Sequence, residues 1–138
     1  MSAADVEGLL GAPDEVKWVQ GESNWQRHHY GSLRLMLMAR PGDEADKTKL
    51  RLNSVRVRLD APLTLPRAVQ PSLTFDWVRP SKDEVAQRLG SAGVAFAVHP
   101  NRYSGGTIEN LVIAPAGGGT VLLESDGGVV RYIEASKG

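Results

Sequence analysis

The sequence holds few side chains with the chemistry of a reactive centre. Three histidines are present, His28, His29 and His99. Adjacent residues on a strand point to opposite faces, so His28 and His29 do not converge on one ion. No cysteine exists to supply thiolate ligands or a nucleophile. The expected metal content is therefore none. Gly117–Gly119 followed by Thr120 has the composition of a phosphate loop but lacks its lysine and precedes a strand, so it reads as a hairpin turn. No Gly-x-Ser-x-Gly elbow occurs. The acidic pairs Asp14/Glu15, Asp43/Glu44 and Asp83/Glu84 fall in a turn, a polar loop and a helix start, where structural roles account for each. No catalytic residue, cofactor or cofactor-binding residue is expected, and the chain is read as a non-enzyme.

The residues left with chemistry to offer are cations and aromatics. Arg34, Arg51, Arg56 and Arg58 alternate with apolar residues, which places them on an outward sheet face. A guanidinium surface of this kind suits carboxylates on a protein partner. Trp25 and Trp77 are the aromatic anchors expected at such a surface, whereas Trp18 is assigned to the core. The candidate partner-binding residues are Arg34, Arg56, Arg58, Trp25, Trp77, Asp43 and Glu44, the last two from the loop Ala39–Lys49.

Elements must position these groups. "SAADVEGLLG" from Ser2 and "SKDEVAQRLG" from Ser81 read as two short helices. In each a serine caps the start and an acidic residue three positions on completes a capping box. Val6, Leu9 and Leu10 form one apolar stripe, Val85 and Leu89 the other. Gly11 and Gly90 are the expected stops. Strands follow each helix. "EVKWVQ" and "WQRHHYGSLRLMLM" read as strands turning at Gly31–Ser32, with Leu33, Leu35 and Leu37 at period two. "LRLNSVRVRL" changes phase at Asn53–Ser54, which predicts a turn or bulge. In the second half "GVAFAVHP", "TIENLVIAP", "TVLLES" and "VVRYIEA" repeat the order, with Ser125–Gly128 as the last hairpin turn.

The expected fold class is α+β, two tandem modules, each a short helix packed on a roughly four-stranded antiparallel sheet. Module 1 covers residues 1–60 and module 2 covers 81–138. Between them, 61–80 is a proline-rich linker in which "SLTFDWV" offers an edge strand.

Charge narrows the partners. Residues 1–70 carry ten Lys+Arg against nine Asp+Glu, and residues 71–138 six against seven. Neither half is a polycation, so neither nucleic acid nor an anionic membrane is an expected partner. No apolar run reaches the ~18 residues of a membrane helix, and the N-terminus has no signal-peptide pattern. A cytoplasmic bacterial protein is expected.

The residues Leu9, Leu10, Gly11, Pro13, Asp14, Tyr30, Gly31, Leu33, Leu35 and Leu37 follow a pattern of helix, LLGxPD turn and YGxLxLxL strand. This resembles small bacterial toxin-immunity and immunity-like proteins. The second half follows the plan without the Pro-Asp and Tyr-Gly pairs. The tandem plan is also similar to that of β-lactamase inhibitor proteins, which bind their targets with a concave sheet surface. The resemblance implies an immunity protein that binds and inhibits a cognate bacterial toxin in a one-to-one complex by blocking its active site. The alternative is a small-ligand or peptide-binding accessory domain without catalytic activity.

Overall fold

The computed structural model describes residues 1–19, 22–66, 79–100 and 107–137. The protein is α+β. Its elements are α1 (Ala3–Leu10), β1 (Glu15–Val19), β2 (Glu22–Tyr30), β3 (Leu33–Met38), β4 (Arg51–Arg58), α2 (Lys82–Ser91), β5 (Ala97–Pro100), β6 (Ile108–Ile113), β7 (Thr120–Asp126) and β8 (Val129–Ser136). The eight strands form one sheet in the order β1-β2-β3-β4-β8-β7-β6-β5, and every pairing with a described register is antiparallel. This corrects the expectation of two tandem modules, each with its own roughly four-stranded sheet. Of the turn or bulge expected at Asn53–Ser54, the turn is excluded, because β4 runs through it. Two compact units divide the chain, Met1–Val55 with Thr64–Phe75, and Arg56–Leu63 with Asp76–Gly138. The division falls inside β4, so the altered parity marks where the strand stops serving one core and starts serving another. Trp77 and the "SLTFDWV" stretch lie outside the described residues.

In the first unit, Ser2 caps α1. Its Oγ accepts from the Asp5 backbone N–H at 3.1 Å, and the Ser2 N–H donates back to Asp5 Oδ2 at 2.8 Å. The helix buries Ala3 and Val6, while Leu9, expected in the stripe, is 60% exposed. An eight-residue helix has room for about two turns and covers only a narrow strip. Gly11, at φ 80°, ends it. The β2–β3 hairpin turns at Gly31, and Tyr30, Leu33, Leu35 and Leu37 lie buried on one face. Leu50 and Ala39 complete this core. Residues 39–50 are fastened to the helix start, as Ala3 N–H donates to Leu50 O and Ala4 N–H to Lys47 O.

In the second unit, Val85 of α2 is buried with Leu59, Leu111, Leu123 and Val130, and Leu89 and Phe96 pack around them. Ser81 caps α2 by accepting from the Glu84 N–H at 3.0 Å. The Glu84 carboxylate instead meets Arg88 at 3.0 Å. Gly90 does not stop this helix, which runs to Ser91; the positive φ falls at Gly93. Asp126↔Val129 closes the β7–β8 hairpin over Gly127 and Gly128, both at positive φ. That geometry is the two-residue turn suited to glycine pairs. Among the described residues no helix is long and apolar enough to cross a membrane.

Candidate functional site

The first unit carries a cleft of about 590 Å³ at the end of the β2–β3 hairpin. Asn24, Met38 and Pro41 form its walls. Arg40, Lys49 and Arg51 line it with a single carboxylate, Asp43. Lys49 Nζ is held 3.2 Å from Asp43 Oδ1 and 4.0 Å from Asp46 Oδ2. Among the described residues Arg40 and Arg51 have no ion-pair partner of their own. The site therefore presents two guanidinium groups outside any ion pair beside an exposed Met38.

The loop that carries Arg40, Asp43 and Lys49 is polar, yet it is tightly hydrogen-bonded. Successive backbone bonds run Asp43 N–H to Arg40 O, Asp46 N–H to Asp43 O and Lys49 N–H to Asp46 O. Glu44 Oε2 accepts from the Gly42 N–H at 2.8 Å. Asp46 Oδ1 accepts from the Thr48 N–H and hydroxyl at 3.0 and 2.6 Å, which lowers the Asp46 pKa. Lys47 Nζ pairs with Glu7 of α1 at 2.8 Å.

Beneath the loop lies a buried polar pair. The Gln26 side-chain amide donates to Glu44 O at 3.1 Å, so its Oε1 faces His28 Nε2 at 2.9 Å. The Gln26 oxygen can only accept, so Nε2 of His28 carries the proton and Nδ1 is the lone-pair nitrogen. His28 is 2% exposed and Nδ1 has no hydrogen-bond partner. Desolvation holds its pKa below the ordinary 6.5, and the same cause acts on His29. His28 is thus a neutral core group, linked through Gln26 to the loop.

Two of the arginines expected on the outward face, Arg56 and Arg58, are held in ion pairs within the chain. Arg56 Nε lies 2.6 Å from Glu134 Oε2, and its guanidinium stacks 3.8 Å from the centre of the Tyr132 ring. Tyr132 OH donates to Glu124 Oε1 at 3.2 Å, and Arg131 holds the other oxygen of Glu124 at 2.7 Å. Arg56 is thus part of an internal charge network spanning β4, β7 and β8. Arg58 forms two hydrogen bonds with Asp60, at 3.1 and 3.2 Å, which raise its pKa and lower that of Asp60.

Of the other predicted residues, Arg34 sits on β3 opposite His29 and Trp25 on β2 opposite Met38. Asp43 lines the cleft, and Glu44 anchors its loop. Trp25, Asp43 and Glu44 therefore belong to the cleft end of the hairpin, while Arg34 lies toward its turn. Trp18 is not core; it is 54% exposed on β1. The weight placed on strand arginines passed over Arg40 and Lys49. Their signal was the charge density of the loop Ala39–Lys49 itself. Among the described residues no group of three His, Asp or Glu side chains could hold a metal ion.

The residues of the LLGxPD and YGxLxLxL pattern meet at a structural joint. Tyr30 OH donates to Gly11 O at 3.0 Å, and Asp14 Oδ2 accepts from the Gly31 N–H at 2.7 Å. Thr64 O accepts from the Ser32 N–H at 2.7 Å. These residues hold the end of α1 against the hairpin turn around a notch of about 180 Å³. No family model, curated protein or solved structure matches the chain.

Proposed function

We propose that the chain is a non-catalytic protein-binding module of the immunity type, acting in the bacterial cytoplasm on a cognate toxin in a one-to-one complex. The observation that carries this reading is the cleft with two unpaired arginines on a hydrogen-bonded loop. Guanidinium groups form strong, directional pairs with carboxylates. A loop already fixed by its own bonds loses little freedom on binding, which favours affinity. Met38 and Trp25 supply the apolar contact that such a charged rim surrounds. The toxin as partner follows from the sequence resemblance, and blockage of its active site follows from an acidic catalytic surface receiving Arg40 and Arg51.

A second reading has its own support. A cleft of about 590 Å³ falls within the ~300–1,000 Å³ of small-molecule sites, so an anionic small ligand or peptide is the alternative occupant.

The test is protection. The gene product encoded beside this chain is expressed alone and together with it. The reading expects growth arrest by the neighbour alone, rescue by the wild-type chain, and loss of rescue with R40E/R51E at an unchanged melting temperature. A harmless neighbour, or full rescue by the folded double variant, contradicts it.

A further inference from the structure

β1 is the terminal strand of the sheet, so one of its sides is unpaired among the described residues. An open edge is a template for another strand. Here it is also apolar on one face, with Val16 46% and Trp18 54% exposed. Both share the face of Gln26 and His28, while Glu15 and Lys17 share the opposite face.

The charge pattern selects the added strand. A two-fold antiparallel pairing keeps every side chain on its own face, so directly opposed residues have the same parity. A pairing centred on Glu15 sets two carboxylates against each other. One centred on Lys17 opposes two ammonium groups. One centred on Val16 sets Glu15 against Lys17 of the second copy, and Lys17 against its Glu15. Opposite charges directly across a strand pair stabilise it, and like charges destabilise it. The two side chains already approach to 3.5 Å within one chain, on one exposed face. In the same register Val16 meets Val16, and each Trp18 stands diagonal to the Val16 of the other copy, within reach of an aromatic ring.

We propose that the chain forms a two-fold homodimer by antiparallel β1–β1 pairing centred on Val16. The interface uses residues separate from Arg40 and Arg51, so it stands or falls apart from the cleft reading.

The chain has no cysteine, which makes a single introduced thiol a clean reporter. Directly opposed strand residues have Cα atoms ~4.5–5.5 Å apart, within disulfide range. V16C is compared with V98C, whose site on β5 is equally exposed at 48% and serves as a collision control. Light scattering across a concentration series is run on the wild type, K17E, E15K and the exchange variant E15K/K17E, with circular dichroism confirming the fold. The expected results are twice the chain mass for the wild type, a disulfide dimer forming much faster in V16C than in V98C, association weakened by about tenfold in each single variant, and recovery in the exchange variant. A wild-type monomer at every concentration, or association indifferent to K17E, or V16C cross-linking no faster than V98C, overturns the proposal.

Discussion

Protonating His28 would put a charged N–H at Nδ1, where no acceptor awaits it. Burial holds the folded-state pKa below 6.5, so the unfolded chain takes up the proton first. The resulting stability is complete above pH 6.5 and is lost as pH falls from there toward the depressed folded value. His29 acts in the same direction. Denaturant midpoints measured from pH 7.5 down to 5 should fall, and the fall should be shallower in His28→Phe. A second, separate decline is expected below pH 3.8. There Asp5, Asp46 and Asp60, whose folded pKa values are lowered by hydrogen bonds from Ser2, Thr48 and Arg58, lose that contribution. Period two puts His28 on the face of Tyr30, yet its partner Gln26 is fixed by Glu44, 18 residues from Gln26. Arg56 carries the same lesson. Period two sets it on the strand face away from Val57, but its partner Glu134 is 78 residues distant, beyond any local pattern.

Short elements were the most legible feature, because their signals are local. Serine caps, the alternation of Leu33, Leu35 and Leu37 and the Gly127–Gly128 turn each follow from a few neighbouring residues. Gly90 misled for the opposite reason. A glycine near a helix end stops it only if its backbone turns left-handed, and here that role fell to Gly93. The glycines therefore separate by substitution. A Cβ on Gly31, at φ 60°, would sit 2.3 Å from Thr64 O, so Gly31→Ala should destabilise the fold by at least ~1–3 kcal/mol. Gly90 has open space around it and lies inside α2, so Gly90→Ala should stabilise by ~0.5–1 kcal/mol. Thermal and chemical denaturation of both variants checks the pair. A destabilised G90A would restore Gly90 as the stop.

At the scale of the whole molecule, the α+β class and the antiparallel order were readable from the alternation of helix and strand signals. The single eight-stranded ladder was not. A phase change within ten residues looks alike whether a chain turns back or passes from one core to the next, and only the partners of β4 decide. Both helices nonetheless enter in the same way. Ser2 bridges to Arg51 at the start of β4, and Ser81 to Val129 at the start of β8, while Val6 and Val85 occupy the same buried position. The proposed function rests on what this scaffold holds out, the cationic cleft beside Met38. The measurement that tests it most directly is native mass spectrometry of the complex recovered from the host on tagged chain, with wild type and R40E/R51E in parallel. The account predicts one bound toxin per wild-type chain and none on the folded double variant. The same partner retained by R40E/R51E would contradict it.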